Sequence, residues 1–233
     1  MLSFQSVTFS YPGTEVLKGL SLDVRPGELL GFLGVNGAGK TTAFLLATGL
    51  YKPSSGSIAV AGVNPATDKQ WSQKVGVMVS GGGLYPRLTV RRNLSFFAEL
   101  HGLSPDLDQH ISRHGLKDYA DKPAGQLSQG YRRRLALARA TLHSPKLLLL
   151  DEPADGLDPG ATEELHEFLR EFRDQGGSVM LSSHRLEEVE RLCDRVALLS
   201  NGVIVSQGTP SELAAQAGDR GLRGLILKLQ GRE

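Results

Sequence analysis

The sequence contains a single cysteine, Cys193, among 233 residues. One cysteine cannot form a disulfide within the chain, which excludes the small disulfide-rich scaffolds of secreted proteins and fits a reducing compartment. The surrounding letters, RLCDRVALL, are typical of a helix end that leads into a strand. We therefore expect Cys193 to be buried as part of the core.

Long apolar segments and an excess of one charge are also lacking. The apolar run at 147–150 lies between Lys146 and Asp151 and is far shorter than the roughly 20 residues of a membrane-spanning helix. The first residues show no basic stretch followed by an apolar one, so we expect no signal peptide. Lys and Arg total 26 against 25 for Asp and Glu, which gives no electrostatic reason to expect nucleic acid as a partner. We expect a soluble, cytoplasmic protein that does not bind nucleic acid.

Strand patterns alternate with helical patterns, which predicts an α/β fold with a mainly parallel central sheet. Strands fit 2–9, 20–24, a strand pair at 57–61 and 75–79, and the runs GELLGFL, KLLLLD, SVMLSSH and RVALLS. KLLLLD is continuously apolar, which is typical of a fully buried parallel strand. GVIVSQG, after Asn201 and Gly202, is predicted to return as a hairpin. We treat 1–233 as one domain, with a helical subdomain inserted at about 86–143 and a short tail at about 218–233.

The strongest motif is GVNGAGKTT, which follows the strand GELLGFL and precedes a helical pattern. It matches the phosphate-binding pattern G-x-x-x-x-G-K-[ST] in the required strand–loop–helix context, which disfavours an ordinary glycine turn. Glycines let backbone N–H groups approach a phosphate chain, the lysine carries a charge for its terminal phosphates, and the hydroxyl after it is a magnesium ligand. The candidate nucleotide-binding residues are Gly34, Val35, Asn36, Gly37, Ala38, Gly39, Lys40, Thr41 and Thr42, with Thr41 also a candidate metal ligand.

Two consecutive acids stand at the end of the buried strand in KLLLLDEP. Asp151 is placed to hold the water shell of Mg²⁺, and Glu152 to orient or deprotonate an attacking water. A pair of helix-capping acids is the alternative, but the carboxyl end of a buried strand is where α/β folds bind ligands. The motifs together predict that the chain binds a nucleoside triphosphate with Mg²⁺ and hydrolyses it.

Further motifs follow in a fixed order. They are LSQGYRRR, LLLLDEP, PADGLDP and LSSHRLEEVERLCDRVALLSNGVIVSQGTP. With the phosphate loop, these motifs make nearly the whole chain resemble the ATP-binding subunits of ABC transporters, of the exporter type. The resemblance implies a P-loop NTPase fold with a RecA-like core, an antiparallel β subdomain and an inserted helical subdomain. It also implies ATP and Mg²⁺ as ligands, and as partners an integral membrane permease and a second ATP-binding subunit, with the chain peripheral on the inner face of the membrane.

The resemblance implies roles for further residues. In the family, two copies pack head to tail, and each signature closes over the ATP of the other copy. The Ser128 hydroxyl and the Gly130 N–H would then bind the γ-phosphate in the partner's site, and Gln129 between them is a further nucleotide-binding candidate. Arg132, Arg133 and Arg134 follow on a single helical turn, which cannot aim all three at one phosphate, so we expect at least one to pair with acids or face solvent.

Single positions outside the signature also match the family. Tyr11 matches the residue that stacks on adenine, with core packing as the alternative. His184 matches the histidine that contacts the γ-phosphate and the attacking water, with helix capping as the alternative. Asp158 matches the aspartate that communicates across the dimer, and it also fits a helix N-cap. The other histidines are predicted to be ordinary surface or packing residues; they are His101, His110, His114, His143 and His166.

Some positions depart from the family pattern. Ser80 stands where the family has a glutamine that touches Mg²⁺ and couples to the permease, which puts that contact in doubt. Gln129 and Tyr131 replace the commoner glycine and glutamine, and Ala154 and Asp155 vary the loop after the catalytic acid. Ser80 therefore keeps a weakly active or regulatory subunit of a heterodimer as an alternative. A non-transport ABC-type ATPase is a separate alternative, although such proteins usually carry two ATPase halves, long coiled-coil inserts or zinc-binding cysteines, which this sequence lacks. The cargo and the choice between homodimer and heterodimer stay open.

Overall fold

The structure is a computed structural model, and it describes residues 1–79, 83–216 and 221–229. Its strands are β1 (Leu2–Tyr11), β2 (Thr14–Val24), β3 (Leu29–Gly34), β4 (Ser55–Val60), β5 (Val75–Met78), β6 (Leu147–Asp151), β7 (Ser178–Ser182), β8 (Arg195–Ser200) and β9 (Val203–Gly208). Its α-helices are α1 (Lys40–Ala47), α2 (Val90–Leu100), α3 (Leu107–Arg113), α4 (Gln129–Thr141), α5 (Pro159–Asp174), α6 (Leu186–Leu192), α7 (Pro210–Gln216) and α8 (Gly221–Leu229).

The central sheet has the strand order β5-β6-β7-β3-β8-β9. Every neighbouring pair is parallel except β8 with β9, which forms the predicted antiparallel return after Asn201 and Gly202. All five residues of β6 and of β7 are buried, because a parallel sheet is covered on both faces. The predicted α/β fold with a mainly parallel sheet is confirmed.

A second, antiparallel sheet has the order β2-β1-β4. It shares a hydrophobic core with α1 and one face of the central sheet, including Phe4, Leu20, Phe44 and Leu149. The prediction of 57–61 and 75–79 as a strand pair is wrong, because β4 pairs with β1 and β5 pairs with β6. A loop and a 3₁₀ turn over Lys69–Gln73 separate the two strands and lead from one sheet to the other.

Helices α2, α3 and α4 build a separate apolar cluster around Val90, Leu94, Ile111 and Leu135. Thr89 caps α2, with its Oγ1 accepting the backbone N–H of Arg92 at 3.1 Å. The extent of a helical subdomain over 86–143 stays a prediction.

Arg139 ties these helices to the central sheet. Its guanidinium donates to the carbonyl oxygens of Val77 at 2.8 Å and Gly83 at 2.7 Å, and it lies 5.1 Å from the ring centroid of Phe97. At Gly76, a Cβ would collide with the backbone carbonyl oxygen of Ala140, so α4 crosses β5 at a distance that only glycine permits.

Ser80, Gly81 and Gly82 lie outside the described residues, as do 218–220 and 230–233 of the predicted tail. Leu222 of α8 is buried against the core.

Cys193 is buried as predicted, and burial raises the pKa of its thiol far above the ordinary range. Within the described ranges, none of the helices has the length and apolar character needed to cross a membrane.

Candidate active site

The phosphate-binding loop lies between the carboxyl end of β3 and the start of α1. Gly37 and Gly39 have φ angles of 81° and 111°, and a Cβ on Gly39 would also meet the side chain of Leu17 at 2.8 Å. Both positions therefore require glycine. Gly39 stands at the N-cap of α1, and no side chain of the described residues caps this helix. The N–H groups of the first turn are therefore open to an anion at the loop.

Lys40 begins α1 and folds back over the loop. Its Nζ donates to the carbonyl oxygen of Gly34 at 2.6 Å and lies 3.3 Å from that of Val35. Burial lowers the pKa of the Lys40 amine, while the nearby carboxylates of Glu152 and Asp151 act in the opposite direction. A lysine cation held on two backbone carbonyls is well placed to donate to a phosphate oxygen.

A pocket of about 500 Å³ opens in front of this loop. It brings the predicted phosphate-binding and acidic residues together; its lining is Val16, Asn36, Gly37, Gly39, Lys40, Thr41, Thr42, Arg133, Asp151, Glu152 and Asp155. Glycine, lysine and hydroxyl groups face the carboxylates across the pocket, which is the arrangement needed for a phosphate chain and a divalent cation.

Asp151 ends β6 directly beside Ser182 of β7 in the parallel register. The Ser182 hydroxyl donates to Asp151 Oδ1 at 2.5 Å, and the Thr41 hydroxyl lies 3.3 Å from Asp151 Oδ2. A carboxylate oxygen and a hydroxyl oxygen at this spacing fit Mg²⁺, which prefers hard oxygen ligands. Thr41 and Asp151, predicted as metal ligands from the sequence, are thus neighbours across the site.

Glu152 has a left-handed backbone, with a φ of 50°. Its N–H is held by the hydroxyl of Ser182 at 2.9 Å and by the carbonyl oxygen of Ser182 at 3.2 Å. Its Oε2 lies 2.7 Å from Nδ1 of His184. Since an ionised carboxylate only accepts hydrogen bonds, we assign the hydrogen to Nδ1. The two predicted catalytic residues are therefore in direct contact.

A third acid and an arginine stand beside this pair. Ligand atoms of Glu152, Asp155 and His184 lie within 4.8 Å of one another, and Arg133 pairs with Asp155 at 3.5 Å. The arginine partly offsets the charge that Asp155 adds next to Glu152. Arg134 pairs with Glu164, so the expectation that at least one arginine of this run meets an acid is confirmed.

The signature residues lie at the start of α4. Ser128 is exposed and caps the helix, accepting the N–H of Tyr131 at 3.3 Å. The side chain of Gln129 rests on Gly156, where a Cβ would collide with it. Among the described residues that line the phosphate pocket, Ser128, Gln129 and Gly130 do not occur, so the fold does not bring them to the chain's own phosphate loop.

Asp158 and Tyr11 also lie outside the phosphate pocket. Asp158 caps α5, with its Oδ1 accepting the N–H of Ala161 at 2.9 Å and Pro159 as the first helical residue. Tyr11 ends β1, with its ring centroid 5.0 Å from that of Phe9 and 5.8 Å from that of Tyr51. Tyr11 is partly exposed, so an aromatic face remains at the edge of the antiparallel sheet.

Sequence reasoning missed four residues around the acidic pair. They are Ser182 and Ser183 at the end of β7, Glu188 on α6 and His166 on α5. LSSH contains both serines, but their role depends on β7 lying next to β6, which no local pattern specifies.

The phosphate loop on the central strand β3, with an acid pair at the end of β6, defines a P-loop nucleoside triphosphatase. The protein-family model described as "ABC transporter" matches residues 17–155 of this chain. The Nod factor export ATP-binding protein I of Burkholderia thailandensis is 40% identical over 221 residues, covering 91% of this chain and 72% of the relative. The chain therefore belongs to the ABC transporter ATP-binding family, and it is an ATP-binding, ATP-hydrolysing subunit of an ABC transporter.

Solved structures agree with this assignment. A structure described as the ATP-binding subunit of an ABC transporter superposes with a TM-score of 0.90 at 28% identity, covering 99% of both chains. CbiO1 of Clostridium perfringens, described as part of the ABC transporter complex cbiONQ, gives a TM-score of 0.80 at 29% identity, covering 99% of this chain and 94% of that one.

Proposed function

We propose that the chain binds ATP with Mg²⁺ between two head-to-tail subunits and hydrolyses it to drive export through a separate membrane permease. The observation that carries the proposal is the contact of 2.7 Å between Nδ1 of His184 and Oε2 of Glu152, a residue that lines the Lys40 pocket. We infer that this carboxylate and this imidazole act together at the terminal phosphate of the nucleotide.

In this proposal, the residues from Gly34 to Thr42 cradle the phosphates and Lys40 holds the terminal ones. Glu152 accepts the proton of the attacking water, while His184 keeps its carboxylate oriented and contacts the γ-phosphate. Thr41 and Asp151 would hold Mg²⁺, which offsets phosphate charge when bound. Tyr11 stacks on the adenine.

The signature residues act on the other subunit's nucleotide. Ser128 is exposed, and with Gln129 and Gly130 it lies away from its own phosphate pocket, which supports a role in the partner's site. Asp158, at the start of α5, is assigned to the contact between the two subunits. The helix N-terminus at Ser128 adds a favourable dipole for the γ-phosphate.

Export and a permease partner are inferred from the relatives. One relative is named for Nod factor export, and another structure is described as part of a transporter complex. We assign the chain to the inner face of the cell membrane, bound to its permease. A weakly active or regulatory subunit of a heterodimer is the second candidate, because Ser80 replaces the family's glutamine.

Mixing two inactive variants tests the shared site. Lys40→Ala removes the phosphate cation and Ser128→Arg blocks the signature, so each homodimer contains no intact site. Because the intact Lys40 and the intact Ser128 meet across the interface of a mixed dimer, we expect mixing to restore ATP hydrolysis. Exchange of subunits between wild-type dimers is the control. If the subunits exchange and the mixture of the two inactive variants still does not hydrolyse ATP, the proposal that two subunits share each site is wrong.

Dimer closure and activity are tested separately. Glu152→Gln with ATP and Mg²⁺ should form a dimer in light scattering, because nucleotide stays bound, whereas Glu152→Gln combined with Lys40→Ala should remain monomeric. A Glu152→Gln protein that stays monomeric at high concentration, also when its partner ATP-binding subunit is added, contradicts the proposal. Steady-state hydrolysis by the isolated wild type, against Lys40→Ala, separates an active subunit from a regulatory one.

A further inference from the structure

The histidine that contacts Glu152 lies on a turn between β7 and α6 and is itself exposed. Its position depends on how that turn is fixed. Ser183, the residue before it, accepts the backbone N–H of Arg185, the residue after it, at 3.0 Å. The Ser183 hydroxyl also donates to Oε2 of Glu188 at 2.6 Å. The Ser183 hydroxyl thus links the turn around His184 to the carboxylate of Glu188.

Glu188 is buried, with 5% of its surface exposed. Its second oxygen, Oε1, lies 3.2 Å from Nε2 of His166, which is 3% exposed on α5. An ionised carboxylate only accepts, so His166 donates through Nε2. Nδ1 of His166 has no hydrogen-bond partner among the described residues, and the nearest oxygen of Glu163 is 3.9 Å away.

This chain of buried polar groups is costly compared with apolar packing. Desolvating a carboxylate and an imidazole opposes folding, and hydrogen bonds recover only part of the loss. Neither His166 nor Glu188 lines the phosphate pocket within the described chain. The hydrogen bonds connect these two residues to the site only indirectly, through Ser183 and the turn that carries His184.

We propose that Glu188 and His166 are positioning residues that hold His184 against Glu152. This inference rests on the proposed catalytic roles of Glu152 and His184. It also makes the placement of His184 depend on α5, the helix that Asp158 caps, so that displacement of α5 would move the turn.

Kinetics of ATP hydrolysis test the proposal. Glu188→Leu fills the same space but gives no acceptor to Ser183 or His166, so kcat should fall about tenfold to a hundredfold while the KM for ATP stays near wild type. His166→Phe should act in the same direction. His166→Gln keeps an N–H at the position of Nε2 and should retain near wild-type kcat. Glu190→Ala, an exposed carboxylate on the same helix, is the matched control and should change nothing.

A double-mutant comparison separates positioning from general damage. In a His184→Ala background, adding Glu188→Leu should cause no further loss of kcat, because the group it positions is gone. Circular dichroism and urea unfolding establish that each variant is folded. If Glu188→Leu does not fold, Ser183→Ala replaces it, since this change removes the same link to the turn.

The outcomes are distinct. If His184→Ala is impaired while Glu188→Leu and Ser183→Ala hydrolyse ATP like the wild type, the inference is wrong and the proposed function stands. A further loss from Glu188→Leu in the His184→Ala background, or no rescue by His166→Gln, also overturns it. If His184→Ala itself is fully active, the proposed role of His184 fails and the inference fails with it.

Discussion

Removing the hydroxyl of Ser182 should destabilise the protein and weaken the acidic pair together. This side chain is fully buried and makes two hydrogen bonds, donating to Asp151 Oδ1 at 2.5 Å and accepting from the N–H of Glu152 at 2.9 Å. Ser182→Ala deletes both and adds no bulk. The N–H of Glu152 keeps the carbonyl oxygen of Ser182 at 3.2 Å, so the main loss is the bond to the carboxylate.

The magnitude follows from the type of bond. A hydrogen bond to a charged group contributes about 1.5–3 kcal/mol, against about 0.5–1.5 kcal/mol for a neutral one. Ser178 provides the matched comparison, because it is also fully buried on β7 and its hydroxyl accepts the N–H of Gly27 at 2.9 Å, a bond between neutral groups. We expect Ser182→Ala to lower the free energy of unfolding by about 2 kcal/mol and Ser178→Ala by about 1 kcal/mol.

Urea unfolding of the nucleotide-free protein measures both values at one pH and one salt concentration. Hydrolysis measured against Mg²⁺ concentration adds the functional arm, where Ser182→Ala should need more Mg²⁺ for half-maximal rate because Asp151 is no longer held in place. If Ser182→Ala costs no more than Ser178→Ala and leaves the Mg²⁺ dependence unchanged, the bond between Ser182 and Asp151 has no energetic importance.

Four further changes have expected outcomes. Thr89→Ala removes the cap of α2 and should cost about 1 kcal/mol in urea unfolding; no change would mean that the first turn is held by packing alone. Gly76→Ala should prevent soluble expression or lower Tm sharply, since its Cβ collides with the α4 backbone. Cys193 should not react with a thiol reagent at pH 8 until urea unfolds the chain, because burial raises its pKa. Burial lowers the pKa of His114 to about 3 and of His143 to about 4, below the ordinary 6.5. The unfolded chain therefore binds protons first, so stability should fall as pH decreases from 6.5 toward 4, and less steeply in His114→Phe.

Features written in consecutive residues could be predicted from the sequence. Three such features depend on a few neighbouring positions. They are the phosphate loop, the buried strand β6 with Asp151 and Glu152 at its end, and the Asp158 cap. The glycines at 37 and 39 stand where the backbone requires positive φ. The pairing of β4 and β5 was predicted wrongly, because hydrophobic alternation specifies a strand but not its neighbour.

Contacts that depend on sheet order could not be predicted. Asp151 and Ser182 are in contact because β6 and β7 are adjacent in the sheet. Ser182 is 30 residues from Glu152, which it also contacts, so no local pattern indicates these contacts. His166 was predicted to be an ordinary surface or packing residue; it is buried, but its bond to Glu188 was not expected. The pair Arg133–Asp155 joins the helix after the signature to the loop after the catalytic acid, a contact that a comparison of local motifs does not reveal.

The left-handed backbone at Glu152 sets stability against activity at one position. A side chain in that conformation costs about 1 kcal/mol or more, and glycine would avoid the cost. Glycine would also remove the carboxylate that meets His184. A Glu152→Gly protein should therefore be more stable and less active than the wild type. Laboratory selection for heat resistance alone should favour replacement of Glu152, and with it the loss of ATP hydrolysis.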